Sequence, residues 1–196
     1  MVHNGKDDTM KREIKIAVFG SSRPRIGTER YEEARAVGFE LALAGYTVIT
    51  GGYRGVMEAA SRGAKEAGGK TIGVTTAFFD AVNAKPNPYV DTEIKTPTYA
   101  ERLLKLTSIS DGYVIMRGGS GTLTELFFAW ELEKNKSIPP RPLVLFGDNW
   151  KKIIDFLARE LPDELSFSSY LYLLGYASEP KEVVELIQDG LKRMMF

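Results

Sequence analysis

Three short apolar runs, at residues 14–19, 46–50 and 112–116, each stop at a cluster of small, flexible residues. The stops are Gly20-Ser21-Ser22, Gly51-Gly52 and Arg117-Gly118-Gly119-Ser120-Gly121. Each run has strand length, and each is followed by an amphipathic helical repeat, at residues 28–44, 55–67 and 123–134. In the first repeat Ala34, Val37, Leu41 and Ala44 share one stripe. Apolar strands alternating with amphipathic helices imply an α/β three-layer sandwich, its mostly parallel sheet covered by helices on both faces. Such sheets bind ligands at the carboxyl ends of their strands. The three small-residue stops therefore converge on one edge of the sheet and outline a site.

The remaining pattern fits this frame. Further strands are expected at residues 71–74, 143–146 and 170–173. Gly45 and Gly68-Gly69 end the first two helices. A helix at 98–109 opens with Thr98-x-x-Glu101, a capping-box signature. Asp148 or Asn149 suits the cap of a helix running to residue 161, and Ser178-Glu179-Pro180 opens a C-terminal helix. Residues 75–97, with Pro86, Pro88 and Pro97, are too long for an ordinary connection. They read as a functional loop or lid with extended structure near residues 89–94. Residues 1–12 read as a disordered tail and 13–196 as one domain. With 43% hydrophobic residues, a chain of that length can bury one sizeable core.

Composition excludes several chemistries. Lys and Arg number 26, as do Asp and Glu, so no global field draws nucleic acid or an anionic membrane. No apolar run is long enough to span a bilayer, and no signal-peptide core lies near the start. With zero cysteines, the expected location is cytoplasmic. The only histidine, His3, lies in the tail. That rules out a Cys nucleophile, a Ser–His–Asp triad and the usual zinc sites. A general acid or base must then be Asp, Glu, Lys, Tyr or a water they hold.

The chemistry concentrates after the 112–116 strand. Gly118, Gly119 and Gly121, with Ser120 between them, let backbone approach a ligand, and the following helix start offers unpaired N–H groups to a phosphate. Thr122 suits either a helix cap or a hydroxyl contact to that phosphate. Glu125 has two readings. Thr122-x-x-Glu125 fits a capping box, which would use the carboxylate for stability alone. Alternatively the carboxylate faces a sugar and stabilises positive charge at C1′, or orients an attacking water. The helix dipole favours its ionised form. Arg102 by default is a solvated helix residue. Ser21 and Ser22 suit a turn, and Ser21 also borders the expected ligand. Met57 reads as core or as a surface for a nucleobase, and Glu58 as a dipole partner or a second carboxylate. Leu123, Leu126, Phe127 and Trp130 fall at helical spacing and read as core or interface.

Together these segments resemble the LONELY GUY family, phosphoribohydrolases that release cytokinin bases from their nucleotides and are often labelled lysine decarboxylase-like. Gly118, Gly119, Gly121, Thr122 and Glu125 match the family's P-G-G-x-G-T-x-x-E, with Arg117 in place of proline. Glu101 and Arg102 match its E-R-K segment, with Leu103 in place of lysine. Gly20-Ser21-Ser22 is similar to its G-S-S turn, and the stretch from Gly51-Gly52 to Val56-Met57 to its G-G-G-x-x-G-L-M. The resemblance covers roughly the first three-quarters of the chain. It implies a Rossmann-like fold, homodimers, and hydrolysis of the N-glycosidic bond of a nucleoside 5′-monophosphate without metal or cofactor. It also implies Arg102 and Glu125 as catalytic residues. Gly118, Gly119, Ser120, Gly121, Thr122, Ser21, Gly51 and Gly52 would hold the nucleotide. The two departures mark a divergent branch.

Other readings are distinguishable. A binding module would hold a nucleotide or molybdenum cofactor in the same cleft without turnover. A pyridoxal-phosphate decarboxylase would need a Schiff-base lysine, and none is placed at a strand end in the glycine constellation. A dinucleotide dehydrogenase would need G-x-G-x-x-G after the first strand and an acidic residue after the second; both are missing.

Overall fold

The computed structural model describes residues 12–161 and 168–193. Residues 1–11 of the expected tail lie outside them. Among the described residues seven strands form one sheet, all pairs parallel. They are β1 (Lys15–Phe19), β2 (Thr47–Thr50), β3 (Thr71–Thr76), β4 (Thr92–Thr96), β5 (Gly112–Ile115), β6 (Leu143–Phe146) and β7 (Leu174–Ala177). Their order is β4-β3-β2-β1-β5-β6-β7. Among the described residues six α-helices cover the sheet: α1 (Glu29–Leu43), α2 (Val56–Glu66), α3 (Tyr99–Ser108), α4 (Ser120–Lys134), α5 (Asn149–Glu160) and α6 (Pro180–Arg193). None of the described helices is long and apolar enough to cross a membrane. The architecture is Rossmann-like α/β.

The strands sort their side chains onto two cores with a period of two. From β1, Ile16 and Val18 meet α1, α2 and α6 on one face, with Tyr31, Val37, Ala60, Val183 and Ile187. Ala17 and Phe19 point the other way and meet α3, α4 and α5 through Leu106, Leu126, Trp130, Trp150 and Ile154. Burial on both faces explains why the strands read as continuous apolar runs. Each fully buried Ile, Leu or Val contributes about 1.5–3 kcal/mol relative to an exposed one.

Chain order reverses between β1 and β5. From β1 the chain builds outward through β2, β3 and β4, then returns to β5 on the other side. The turns after these two strands diverge, which opens a crevice at their carboxyl ends. Backbone bonds tie its floor together: Ser21 N–H donates to Arg117 O at 3.2 Å and Val56 N–H to Ser21 O at 2.9 Å.

Three expectations need correction. The apolar stretch 170–173 is not a strand. It lies in a 3-10 turn, Ser168–Leu173, and the edge strand follows at Leu174–Ala177, where Gly175 sits against Leu186 of α6. The helix after the glycine turn begins at Ser120, three residues earlier than the apolar repeat implied. The 75–97 segment is partly regular: β3 continues to Thr76, a 3-10 turn spans Ala77–Val82, and β4 extends the sheet. Its loop is pinned by the buried Asn87, whose side-chain amide donates to Gly52 O at 3.0 Å and Tyr53 O at 2.9 Å.

Helices α1 and α2 touch backbone to backbone. A Cβ at Gly63 would lie 1.8 Å from Arg35 O, and one at Gly38 would lie 2.1 Å from Ala60 O. Gly63→Ala must push the helices apart. The expected cost is about 2–3 kcal/mol, a fall in melting temperature of roughly 5–10 °C in a calorimetric scan. An unchanged melting temperature would disprove the close approach.

Candidate active site

The site starts with a helix cap. Thr98 and Glu101 form the expected capping box: Thr98 N–H donates to Glu101 Oε2 at 2.9 Å, and Glu101 N–H donates to Thr98 Oγ1 at 3.2 Å. Satisfying two orphan amides fixes where α3 begins. The next residue, Arg102, is thereby turned under the sheet edge and is 5% exposed. Its Nε donates to Val74 O at 2.8 Å and its Nη2 to Gly51 O at 3.0 Å. The default reading of a solvated arginine fails because carbonyls just after β2 and on β3 accept from its fork of donors. Gly51 is required at this spot, since a Cβ there would lie 1.7 Å from Arg102 Nη2.

Arg102 faces Glu125 across the cleft, Nη1 to Oε1 at 3.9 Å, with both side chains buried. Glu125 lies on the second turn of α4. It takes no part in a cap, for the N-cap of α4 is Gly119 and no side chain caps the helix. The capping-box reading of Thr122 and Glu125 is therefore wrong. Thr122 instead packs its side chain against Gly118, where a Cβ would lie 2.0 Å from its hydroxyl. The dipole argument for Glu125 also fails. Burial raises its pKa from 4.5 to about 7, and Arg102 only partly opposes that rise. Desolvation of a group this deep outweighs a helix end more than a turn away.

A cleft of about 580 Å³ runs along this edge. Gly118, Gly119, Ser120, Gly121 and Thr122 form one wall, Ser21 and Ser22 the floor, and Arg102 and Glu125 the inner end. The first N–H groups of α4, at Ser120, Gly121 and Thr122, have no intrahelical acceptor and open toward it. An aromatic cluster surrounds Arg102: its guanidinium carbon lies 5.7 Å from the Tyr53 ring centre and 6.0 Å from that of Tyr99. Phe79 packs edge-on against both tyrosines at 5.5 and 6.1 Å.

The expected residues fall into two sets. Ser21, Gly118, Gly119, Ser120, Gly121, Thr122, Arg102 and Glu125 line the cleft. Gly51 and Gly52 are buried beneath it, where their carbonyls seat Arg102 and Asn87. Met57 lines the cleft, whereas Glu58 accepts from the Tyr31 hydroxyl at 3.1 Å. Arg117 turns toward Gly147 and Asn149 at the start of α5. Leu126 and Trp130 join the core, with Leu123 and Phe127 half-buried beside it. Sequence reasoning missed Tyr53, Phe79, Tyr99 and Arg30. The aromatic density of residues 53–99 was the available signal.

Sheet order, switch point and glycine turn define a Rossmann-like α/β protein with a polar cleft at its topological switch. A family model described as SLOG cluster4 matches residues 13–143. Over 178 residues the chain is 34% identical to a cytokinin riboside 5′-monophosphate phosphoribohydrolase of Mycobacterium tuberculosis, covering 90% of this chain and 91% of that one. It is 32% identical over 131 residues to a pyrimidine/purine nucleotide 5′-monophosphate nucleosidase of Escherichia coli K12, covering 62% of this chain and 29% of that longer protein. The molybdenum cofactor binding protein of Rippkaea orientalis superposes with a TM-score of 0.69 at 30% identity, over 91% of this chain and 97% of that one. The chain belongs to the SLOG cluster4 family, as a divergent member of the LONELY GUY type.

Burial also raises Glu133, at the far end of α4, to about 7, opposed by its bond from Arg141 N–H. Both glutamates hold a proton more tightly folded than unfolded. Their stabilising effect is full below pH 4.5 and is lost as pH rises through about 7. Glu125→Gln cannot ionise and removes its share of that loss. Melting curves between pH about 4.5 and about 8 should show a smaller fall for the variant than for the parent. Parallel falls would refute the burial of this carboxylate.

Proposed function

We propose that the chain hydrolyses the N-glycosidic bond of a nucleoside 5′-monophosphate, giving free base and ribose 5-phosphate. The observation that carries this reading is the buried Arg102–Glu125 pair at the inner end of a cleft walled by an uncapped helix start. The amides of Ser120, Gly121 and Thr122 suit the 5′-phosphate, and the helix dipole favours its charge. The aromatic side chains of Phe79 and Tyr99 suit the base. The ribose then lies beside Glu125.

In the reaction the C1′–N bond breaks, its electron pair leaves with the base, and water oxygen bonds to C1′. Ionised Glu125 stabilises the positive charge that builds on the sugar and accepts the proton that water loses; the base gains its proton from solvent. Arg102, held by Gly51 O and Val74 O, keeps the carboxylate in place without closing on it. Fixed charges in a site shielded from water act without reorganisation.

A second reading has its own support. The likeness to the Rippkaea orientalis molybdenum cofactor binding protein covers nearly the whole chain. In that reading the cleft holds a phosphorylated pterin and does no chemistry. A panel of nucleoside monophosphates, followed by chromatography for free base, separates the two. Hydrolysis predicts base release from at least one of them. Binding without base from any of them favours the carrier.

Under the hydrolase reading, Glu125→Gln lowers kcat by at least about a hundredfold. The parent's rate rises with pH through about 7, since the ionised carboxylate is the working form. A rate that falls over that range would assign Glu125 as an acid that protonates the departing base.

A further inference from the structure

The cleft does not stop at the glycine turn. Beyond Ser21 it opens into a second hollow of about 510 Å³, and Ser21, Arg23 and Arg30 line both. Arg25 joins Arg23 and Arg30 there, facing one carboxylate, Glu29. Among the described residues these three guanidinium groups make no hydrogen bond or ion pair. Arg54, Arg117 and Arg193 share that state but stand apart from one another, whereas Arg12, Arg35, Arg62, Arg102 and Arg159 pair with carboxylates and Arg141 donates to the Tyr113 hydroxyl. Arg23 and Arg25 sit on the loop before α1 and Arg30 on the first turn of that helix, and the loop is shaped by its own turns. Arg23 N–H donates to Ser21 Oγ at 3.1 Å, and Thr28 Oγ1 donates to Arg25 O at 2.7 Å. Its backbone is thus satisfied locally while its cations stay in solvent at the mouth of the cleft.

The order of groups along the cleft gives this charge a meaning. Glu125, Phe79, Tyr99 and the uncapped start of α4 line the first hollow alone, Arg25 lines the second alone, and Arg23 and Arg30 stand where the two meet. A nucleotide with its sugar beside Glu125 and its 5′-phosphate on the glycine turn points its phosphate end at Arg23 and Arg30. A monophosphate has one anionic group, which the glycine turn takes. A second phosphate, joined to the first, would extend toward the shared arginines, and guanidinium forks match phosphate oxygens in pairs.

We propose that Arg23, Arg25 and Arg30 form a second anion subsite, and that the cleft takes a nucleoside 5′-diphosphate in preference to the monophosphate. The nucleoside part of this assignment rests on the hydrolase reading above, whereas the anion subsite does not. Glu125 would act on C1′ in the same way with either ligand.

Calorimetric titration with phosphate, pyrophosphate, AMP and ADP tests it, on the parent and on Arg23→Ala/Arg25→Ala/Arg30→Ala. ADP should bind the parent at least about tenfold tighter than AMP, the factor carried by one charge-assisted hydrogen bond. Pyrophosphate should likewise exceed phosphate. The triple variant should lose both preferences, its affinity falling at least about tenfold more for ADP than for AMP. Lys151→Ala/Lys152→Ala/Lys181→Ala makes the same charge change at exposed positions outside the cleft and should keep the preferences. Equal affinity for ADP and AMP together with equal affinity for pyrophosphate and phosphate overturns the subsite. So does an equal loss for all four ligands in the arginine variant, or the same loss in the lysine control. A pyrophosphate preference with no binding of either nucleotide keeps the subsite and overturns the nucleotide reading instead.

Discussion

The cleft depends on one buried guanidinium. Arg102 bridges the carboxyl ends of β2 and β3 through the carbonyls of Gly51 and Val74, and it faces Glu125 from α4. It therefore joins the two halves of the sheet that separate at the switch point. Burying this cation is costly unless each donor finds an acceptor. Two backbone carbonyls, a carboxylate and the faces of Tyr53 and Tyr99 supply what water would otherwise provide. The missing Cβ of Gly51 makes the approach sterically possible. A glycine that reads as a ligand-binding turn thus serves first as a seat for an arginine.

The departures from the family pattern fit around this arrangement without disturbing it. Arg117 stands where the pattern has proline, yet its side chain turns toward Gly147 and Asn149 and its carbonyl still accepts from Ser21 N–H. Leu103, which replaces a lysine, is only partly buried on α3 and is not among the residues that line the cleft. The residues that shape the inner end, Arg102, Glu125, Gly118 and Thr122, keep the pattern's spacing. The physical demands at that end are steric and electrostatic, and each narrows the side chains that fit.

Much of this was legible from residues alone. Continuous apolar runs, glycine stops and the Thr98–Glu101 box pointed to the parallel sheet, the edge that carries the cleft and the start of α3, because each is a local signal. Long-range effects were not legible. The proton affinity of Glu125 depends on its burial and on Arg102 from α3, so the helix-dipole argument chose the wrong sign. The burial of Arg102 needs carbonyls 28 and 51 positions away in the chain. Strand β4 alternates charge and apolar residues as Thr92-Glu93-Ile94-Lys95-Thr96, an edge-strand pattern hidden within a proline-rich loop. The stretch at 170–173 is apolar enough for a strand but forms a 3-10 turn, and the strand follows through Gly175.

The segment between β3 and β4 is held to the sheet largely through Asn87, whose backbone and side-chain amides engage Gly52 and Tyr53. Phe79, Val82 and Ala84, which it contributes to the cleft, come from the stretch before that anchor. Wall and scaffold are consequently separable in descent. Substitutions across residues 77–84 can reshape what is admitted at the aromatic end while the arginine–glutamate pair and the strand register stay as they are. A lineage built on this plan can diversify its ligands by exchanging one panel of surface chain.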